Sequence, residues 1–139
     1  MRAEIFLDTN ILLYFLSKAP SEASKSRAAT ELLLRDDCGL SCQVLAECYV
    51  TATSKGSYRL PHGQVMAFLE TLYRFPVVPN SLELFQRATQ LAQQRQVSYW
   101  DASIIVSAQA LDCSVLYSED LQHGQRFGSL RVVNPFRSA

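Results

Sequence analysis

Histidine is scarce in this chain: His62 and His123 are the only two among 139 residues. Neither has an acid partner in its local spacing, and no Ser–His–Asp or Cys–His set offers itself for nucleophilic catalysis. Both read as solvent-facing residues near turns. Cys38, Cys42, Cys48 and Cys113 lack the C-x-x-C spacing of a zinc site. Cys42 and Cys48 fall in an apolar helical stretch, where cysteine acts as a small buried hydrophobe. A reducing compartment suits such a chain. Long apolar runs are missing as well. The longest near the start is Ile11 to Leu16, far short of the ~20 residues of a bilayer span. Glu4 and Asp8 stand where a signal peptide would carry its apolar stretch. A soluble, cytoplasmic protein with no membrane partner is expected. Charge of one sign is also absent, with 13 basic against 13 acidic residues. That excludes a broad basic footprint for nucleic acid, though not a local groove. Ten of the 13 cations are arginine, suited to bidentate phosphate contacts, although genome composition explains the bias equally well.

What is present is a globular composition. Apolar residues make up 48% and charged ones 19%, enough for one packed domain over residues 1–139. Residues 3–7 form an apolar run without alternation, which predicts a central strand buried on both faces. Further strands are expected at 39–41, 76–78, 114–117 and 130–133, with Pro76 suiting an edge strand. Helices are expected at 10–18, 22–35 with Ser21 as cap, 42–54, 61–74, 81–95 and 100–111, and Lys55-Gly56-Ser57 as a turn. Short strands alternating with helices predict an α/β fold, a mostly parallel sheet of four to five strands covered on both faces.

The first strand runs into Asp8-Thr9-Asn10 and then directly into an apolar helix. One helix start uses one cap, so two polar groups are left at the carboxyl end of a buried strand, where open α/β sheets bind ligands. Three more acids stand out. Glu47 is the only charge in the stretch Val44 to Val50. It is either a costly buried carboxylate or the mark of a narrow exposed strip. Asp101 lies in the first turn of its helix, where the dipole alone would favour it. Ser118-Glu119-Asp120 leaves a strand end, as a solvated turn also would. As a set these acids converge on one rim of a doubly wound sheet. Clustered carboxylates repel, and a divalent cation relieves that; all-oxygen ligation suits Mg²⁺ or Mn²⁺.

The ordered set Leu7-Asp8-Thr9-Asn10, Leu45-Ala46-Glu47, Trp100-Asp101-Ala102 and Leu116-Tyr117-Ser118-Glu119-Asp120 resembles a PIN domain. Within that family it looks like the VapC-type ribonuclease toxins of toxin–antitoxin pairs. The resemblance covers essentially the whole chain and implies an α/β/α sandwich. It implies that Asp8, Glu47 and Asp101 form the acidic core and that Asp120 is the fourth acid, with Glu119 its rival one position earlier. Thr9, Asn10 and Ser118 match polar supporting positions. Where the family commonly continues with another Asp and an aromatic, this chain has Leu121-Gln122-His123-Gly124. The resemblance further implies hydrolysis of RNA with one or two Mg²⁺ or Mn²⁺ ions, and a VapB-type antitoxin as partner. It also points to a homodimer, which the aromatic faces carrying Tyr49, Tyr58, Phe68 and Tyr73 favour independently.

Rival readings fit less well. An aspartyl-phosphate phosphatase needs a second Asp two positions after the first, and that position is Asn10; a phospho-receiver domain needs a late lysine, and the last is Lys55. A PIN-like RNA- or protein-binding module without catalysis is the alternative of a different class, but loss of catalysis usually removes acids. Trp100 could stack on a base, though packing is the commoner fate of a Trp opening a helix. Arg59, Lys55 and Arg126 read as ordinary solvated charge rather than phosphate contacts.

Overall fold

A computed structural model describes residues 1–54, 56 and 58–137. Lys55 and Ser57, and with them most of the expected turn and one of the basic residues weighed as phosphate contacts, lie outside the described residues. The strands are β1 (Ile5–Leu7), β2 (Cys38–Ser41), β3 (Val77–Val78), β4 (Val115–Tyr117), β5 (Arg126–Phe127) and β6 (Leu130–Val133). The helices are α1 (Thr9–Leu16), α2 (Ala23–Leu33), α3 (Cys42–Ser54), α4 (His62–Thr71), α5 (Leu82–Arg95) and α6 (Tyr99–Ala110). The sheet order is β3-β2-β1-β4-β6-β5. All neighbouring strands pair in parallel except β5 with β6.

β1 lies between β2 and β4 and is buried throughout, because Ile5, Phe6 and Leu7 have a covering layer on each face. The helices form those layers, with α1 packing on α2 and α3, and α5 on α6. Every residue of α6 from Ala102 to Ala108 is buried. A helix that is apolar all round, with only Ser103 and Ser107 interrupting it, can be accommodated only at the centre. Pro76 precedes β3 at the sheet edge, where its missing N–H costs nothing and its carbonyl accepts from Leu40 N.

Three local expectations are corrected. Ser21 does not cap a helix: it sits in a 3₁₀ turn, Pro20–Glu22, and α2 begins at Ala23. The fourth helix ends at Thr71 and continues as a 3₁₀ turn over Leu72–Arg74. The sheet carries a sixth strand, β5, which hairpins onto β6 through Gly128 at φ +63°. Of the four aromatics expected on a pairing face, Tyr49, Tyr58 and Phe68 pack against the core, whereas Tyr73 is exposed.

Gly39 in β2 is required by close approach. A Cβ built there would lie 2.5 Å from Leu111 Cδ1 and 3.0 Å from Ala3 Cβ. Leu111 is itself fully buried. Gly39→Ala is therefore expected to destabilise the fold by about 1–3 kcal/mol through overpacking. Urea unfolding checks this, and an unchanged midpoint would mean that Leu111 re-packs freely.

Candidate active site

The carboxyl ends of β1, β2 and β4 lie along one edge because the three strands are parallel. Asp8 follows β1, α3 follows β2 directly, and Ser118-Glu119-Asp120 follows β4. α6 ends toward the opposite edge, where Ala3 N donates to Leu111 O. Its first turn, with Asp101, therefore points back toward the acid-bearing edge.

Asp8 is 8% exposed and is itself the N-cap of α1, with Oδ1 accepting from Thr9 N at 2.7 Å. Thr9 and Asn10 are thus the first residues of that helix. Oδ2 accepts from Ser118 Oγ at 2.7 Å. Ser118 Oγ in turn accepts from the backbone N–H groups of Asp120 and Leu121. Burial pushes the Asp8 carboxyl up to about 6; the two hydrogen bonds pull it down, and the Asp120 and Glu47 charges push it up again. Among the described residues, the buried hydroxyl of Thr9 has no hydrogen-bond partner.

Asn10 holds the turn after β4. Its amide donates to Asp120 Oδ2 at 3.2 Å, and its Oδ1 accepts from Glu119 N at 3.3 Å. Glu119 is engaged elsewhere: Tyr14 OH donates to Oε1 and Lys25 Nζ to Oε2, each at 2.5 Å. Its burial would raise the carboxyl, yet Lys25 and Tyr14 together hold it below the usual range. The next residues are pinned as well, with His123 Nδ1 accepting from Asn134 N and Gly124 N donating to Val132 O.

Glu47 does not lie in a helix buried all round. It shares an exposed strip of α3 with Ala46 and Val50. Gln43, one turn earlier, holds it: Nε2 donates to Glu47 Oε1 at 2.7 Å and to the carbonyl of Trp100 at 3.3 Å. One amide thus joins Glu47 to the peptide that precedes Asp101. Ser98 caps α6 by accepting from Asp101 N, and among the described residues no donor is bonded to the Asp101 carboxylate. Trp100 is not packed into the core; it is 64% exposed. His62 and His123 are exposed, as expected, and His62 shares a hydrogen bond with Tyr49 OH. Arg126 lies on the outer edge strand β5 and Arg59 is exposed.

Sequence reading missed Gln43, Tyr14 and Lys25. Gln43 could have been found, since a residue four before Glu47 shares its helix face. Tyr14 and Lys25 could not, since they reach Glu119 across 105 and 94 residues.

The donor set suits a hard divalent cation. It is all oxygen, and Asp8 is desolvated and crowded by two other carboxylates. The unpartnered Thr9 hydroxyl beside it is a polar atom of the kind that marks a ligand site. Among the described residues, no three acidic, histidine or cysteine side chains enclose an ion as they stand. Mg²⁺ commonly takes only one or two carboxylates and keeps several waters, so an open set of this kind fits it.

No curated protein matches the chain by sequence. Among solved structures it is similar to a toxin–antitoxin complex from Klebsiella pneumoniae, at 21% identity and TM-score 0.71, over 96% of this chain and 99% of that one. It is also similar to VapC20 of Mycobacterium tuberculosis, a sarcin–ricin loop cleaving toxin, at 18% identity and TM-score 0.66, over 84% and 89%. A third neighbour is FitAcB from Neisseria gonorrhoeae, at 19% identity and TM-score 0.62, over 96% and 99%. At these identities the likeness is one of fold. The family model of the PIN domain matches residues 5–126, and with most of its length so matched this chain belongs to the PIN domain family.

Proposed function

We propose that the chain is a Mg²⁺- or Mn²⁺-dependent endoribonuclease and the toxin of a VapBC-type toxin–antitoxin pair. The observation that carries this reading is the buried Asp8 carboxylate, held by Thr9 N and Ser118 Oγ within range of the Glu47 and Asp120 charges. A fold with no need of a ligand there would gain by replacing it. Asp8, Glu47, Asp101 and Asp120 would hold the cation. Once bound, it would acidify a water as nucleophile and neutralise charge gathering on the phosphate. Asn10 and Ser118 orient Asp120 and Asp8, and Gln43 orients Glu47. Glu119 is the weaker candidate for fourth acid, since both its oxygens are engaged by Tyr14 and Lys25. RNA is the substrate and a VapB-type protein the partner in this reading, and a homodimer the assembly. Among the described residues no helix is long and apolar enough to cross a membrane.

The test is RNA cleavage by purified protein with added Mn²⁺. Cleavage that stops with EDTA and is lost in Asp101→Asn is expected, and undiminished cleavage in excess EDTA would falsify the metal dependence. A second measurement is independent of catalysis. A ligand bound only by the native state adds RT ln(1 + [L]/Kd), roughly 2.7 kcal/mol at ~100 times Kd. Mn²⁺ should therefore raise the melting temperature, and Asp8→Asn/Asp101→Asn should abolish the rise. An equal rise in the double variant would place the ion elsewhere.

A further inference from the structure

Trp100 is the only tryptophan of the chain and stands 64% exposed in the first turn of α6. Nothing in the acid arrangement requires it. Burying an indole removes a large apolar surface from water, so leaving it out forgoes stabilisation. It is nonetheless braced on one side. The Tyr99 ring packs edge-on against it, with centroids 5.0 Å apart at 79°, and Gln43 holds its backbone carbonyl. The two aromatics wall a cleft of about 530 Å³ between α3, α6 and the start of α5, whose other walls include Glu47, Asn80 and Leu84. That volume lies within the usual range of small-ligand sites.

Glu47 belongs to both the cleft and the acid group, so the cleft opens directly from the candidate cation site. A chain whose phosphate lies at the acids would bring a neighbouring base to the indole. We propose that this cleft is a nucleobase subsite: Trp100 stacks on an unpaired RNA base beside the scissile phosphate, and Asn80 reads the edge of that base. The inference rests on the ribonuclease reading and narrows the substrate to single-stranded RNA, whose bases are free to splay onto an aromatic. An amide side chain offers both donor and acceptor, which suits a base edge. A protein surface seated here instead would take the Glu47 carboxylate out of water and leave it to find a partner.

The test uses nucleoside 5′-monophosphates, which carry a base and a phosphate but no bond to cleave, on the intact wild-type protein with Mg²⁺. The lone indole N–H gives a single reporter signal in a proton–nitrogen correlation spectrum. It should shift with the monophosphates and not with ribose 5-phosphate. In RNA cleavage, Trp100→Ala should raise KM roughly 5- to 150-fold, the range base–aromatic stacking supplies, and Trp100→Phe should restore most of it. Asn80→Ala should alter which base is preferred beside the cut. An indole signal indifferent to all four bases overturns the subsite even if cleavage proceeds. So does a Trp100→Ala protein that cleaves like wild type, or one whose mass by light scattering falls from dimer to monomer, because Trp100 then serves a second copy. Base-dependent shifts in a protein that cleaves no RNA would keep the subsite and remove the nuclease reading.

Discussion

Asp8→Asn is expected to reduce RNA cleavage by about 10³-fold or more while making the metal-free protein more stable. The two effects have one cause. The carboxylate is buried and lies within range of two others, so its charge costs stability that a bound cation would offset. Losing several kcal/mol of charge stabilisation at the phosphate corresponds to roughly three powers of ten in rate. The amide keeps the shape, and its oxygen can accept from Thr9 N; Ser118 Oγ already accepts from Asp120 N and Leu121 N, so its bond to residue 8 is the one lost. Asp8 ionises at about 6 in the fold against 3.8 in the open chain. The folded state therefore binds this proton more tightly, and the Asp8 contribution to stability falls as pH rises from about 4 to about 6, then stays level. The cost at pH 7 is about 3 kcal/mol as an order of magnitude. Asp8→Asn should recover part of it and flatten that pH window, as read by urea unfolding in EDTA. Cleavage at the wild-type rate would remove Asp8 from the machinery. A variant less stable than wild type at every pH would show that its two hydrogen bonds need a carboxylate.

That experiment rests on the part of the site the sequence displays well. Asp8 and Asp101 are placed by backbone: one ends a buried strand, the other sits in the first turn of a helix that opens near the same edge. Local pattern suffices for both. Glu47 is harder, because α3 leaves apolar Val50 and Ala46 in the open and so imitates a buried helix. The choice between Glu119 and Asp120 is not local at all. It turns on Tyr14 and Lys25, brought across from α1 and α2. β5 escaped notice because a two-residue strand has no alternation to detect. Trp100 was misplaced for a physical reason: packing is the usual fate of an indole, and its exposure depends on how α3 and α5 flank the start of α6.

On the proposed toxin reading, co-production with a cognate antitoxin is expected to silence the protein through one segment that reaches both ends of α1. The acids lie at the N-terminal end of that helix, beginning with Asp8. At its other end Phe15 stacks on Phe68 of α4, centroids 4.6 Å apart, beside a cleft of about 440 Å³ that Leu34 of the α2 end and Arg74 also line. From Asp8 to Phe15 is about 10 Å along the axis at ~1.5 Å per residue, so a short segment spans both. An apolar helix face suits the cleft. A basic side chain suits the acids, and arginine suits them best, since its fork pairs with carboxylates bidentately. The cation and the arginine would then compete for one set of oxygens. Inhibition should weaken as Mn²⁺ rises. Replacing that arginine by alanine should cost 2–5 kcal/mol of binding, roughly 30- to 5,000-fold in Kd. Substituting Leu34→Asp should weaken the complex without altering cleavage by the free protein, because Leu34 lines the cleft while 79% exposed and is not one of the acids or their hydrogen-bond partners. Titration of the purified pair at several Mn²⁺ concentrations decides the matter. Inhibition indifferent to Mn²⁺ and to every basic residue of the partner would mean that the partner blocks RNA from outside and leaves the acids untouched.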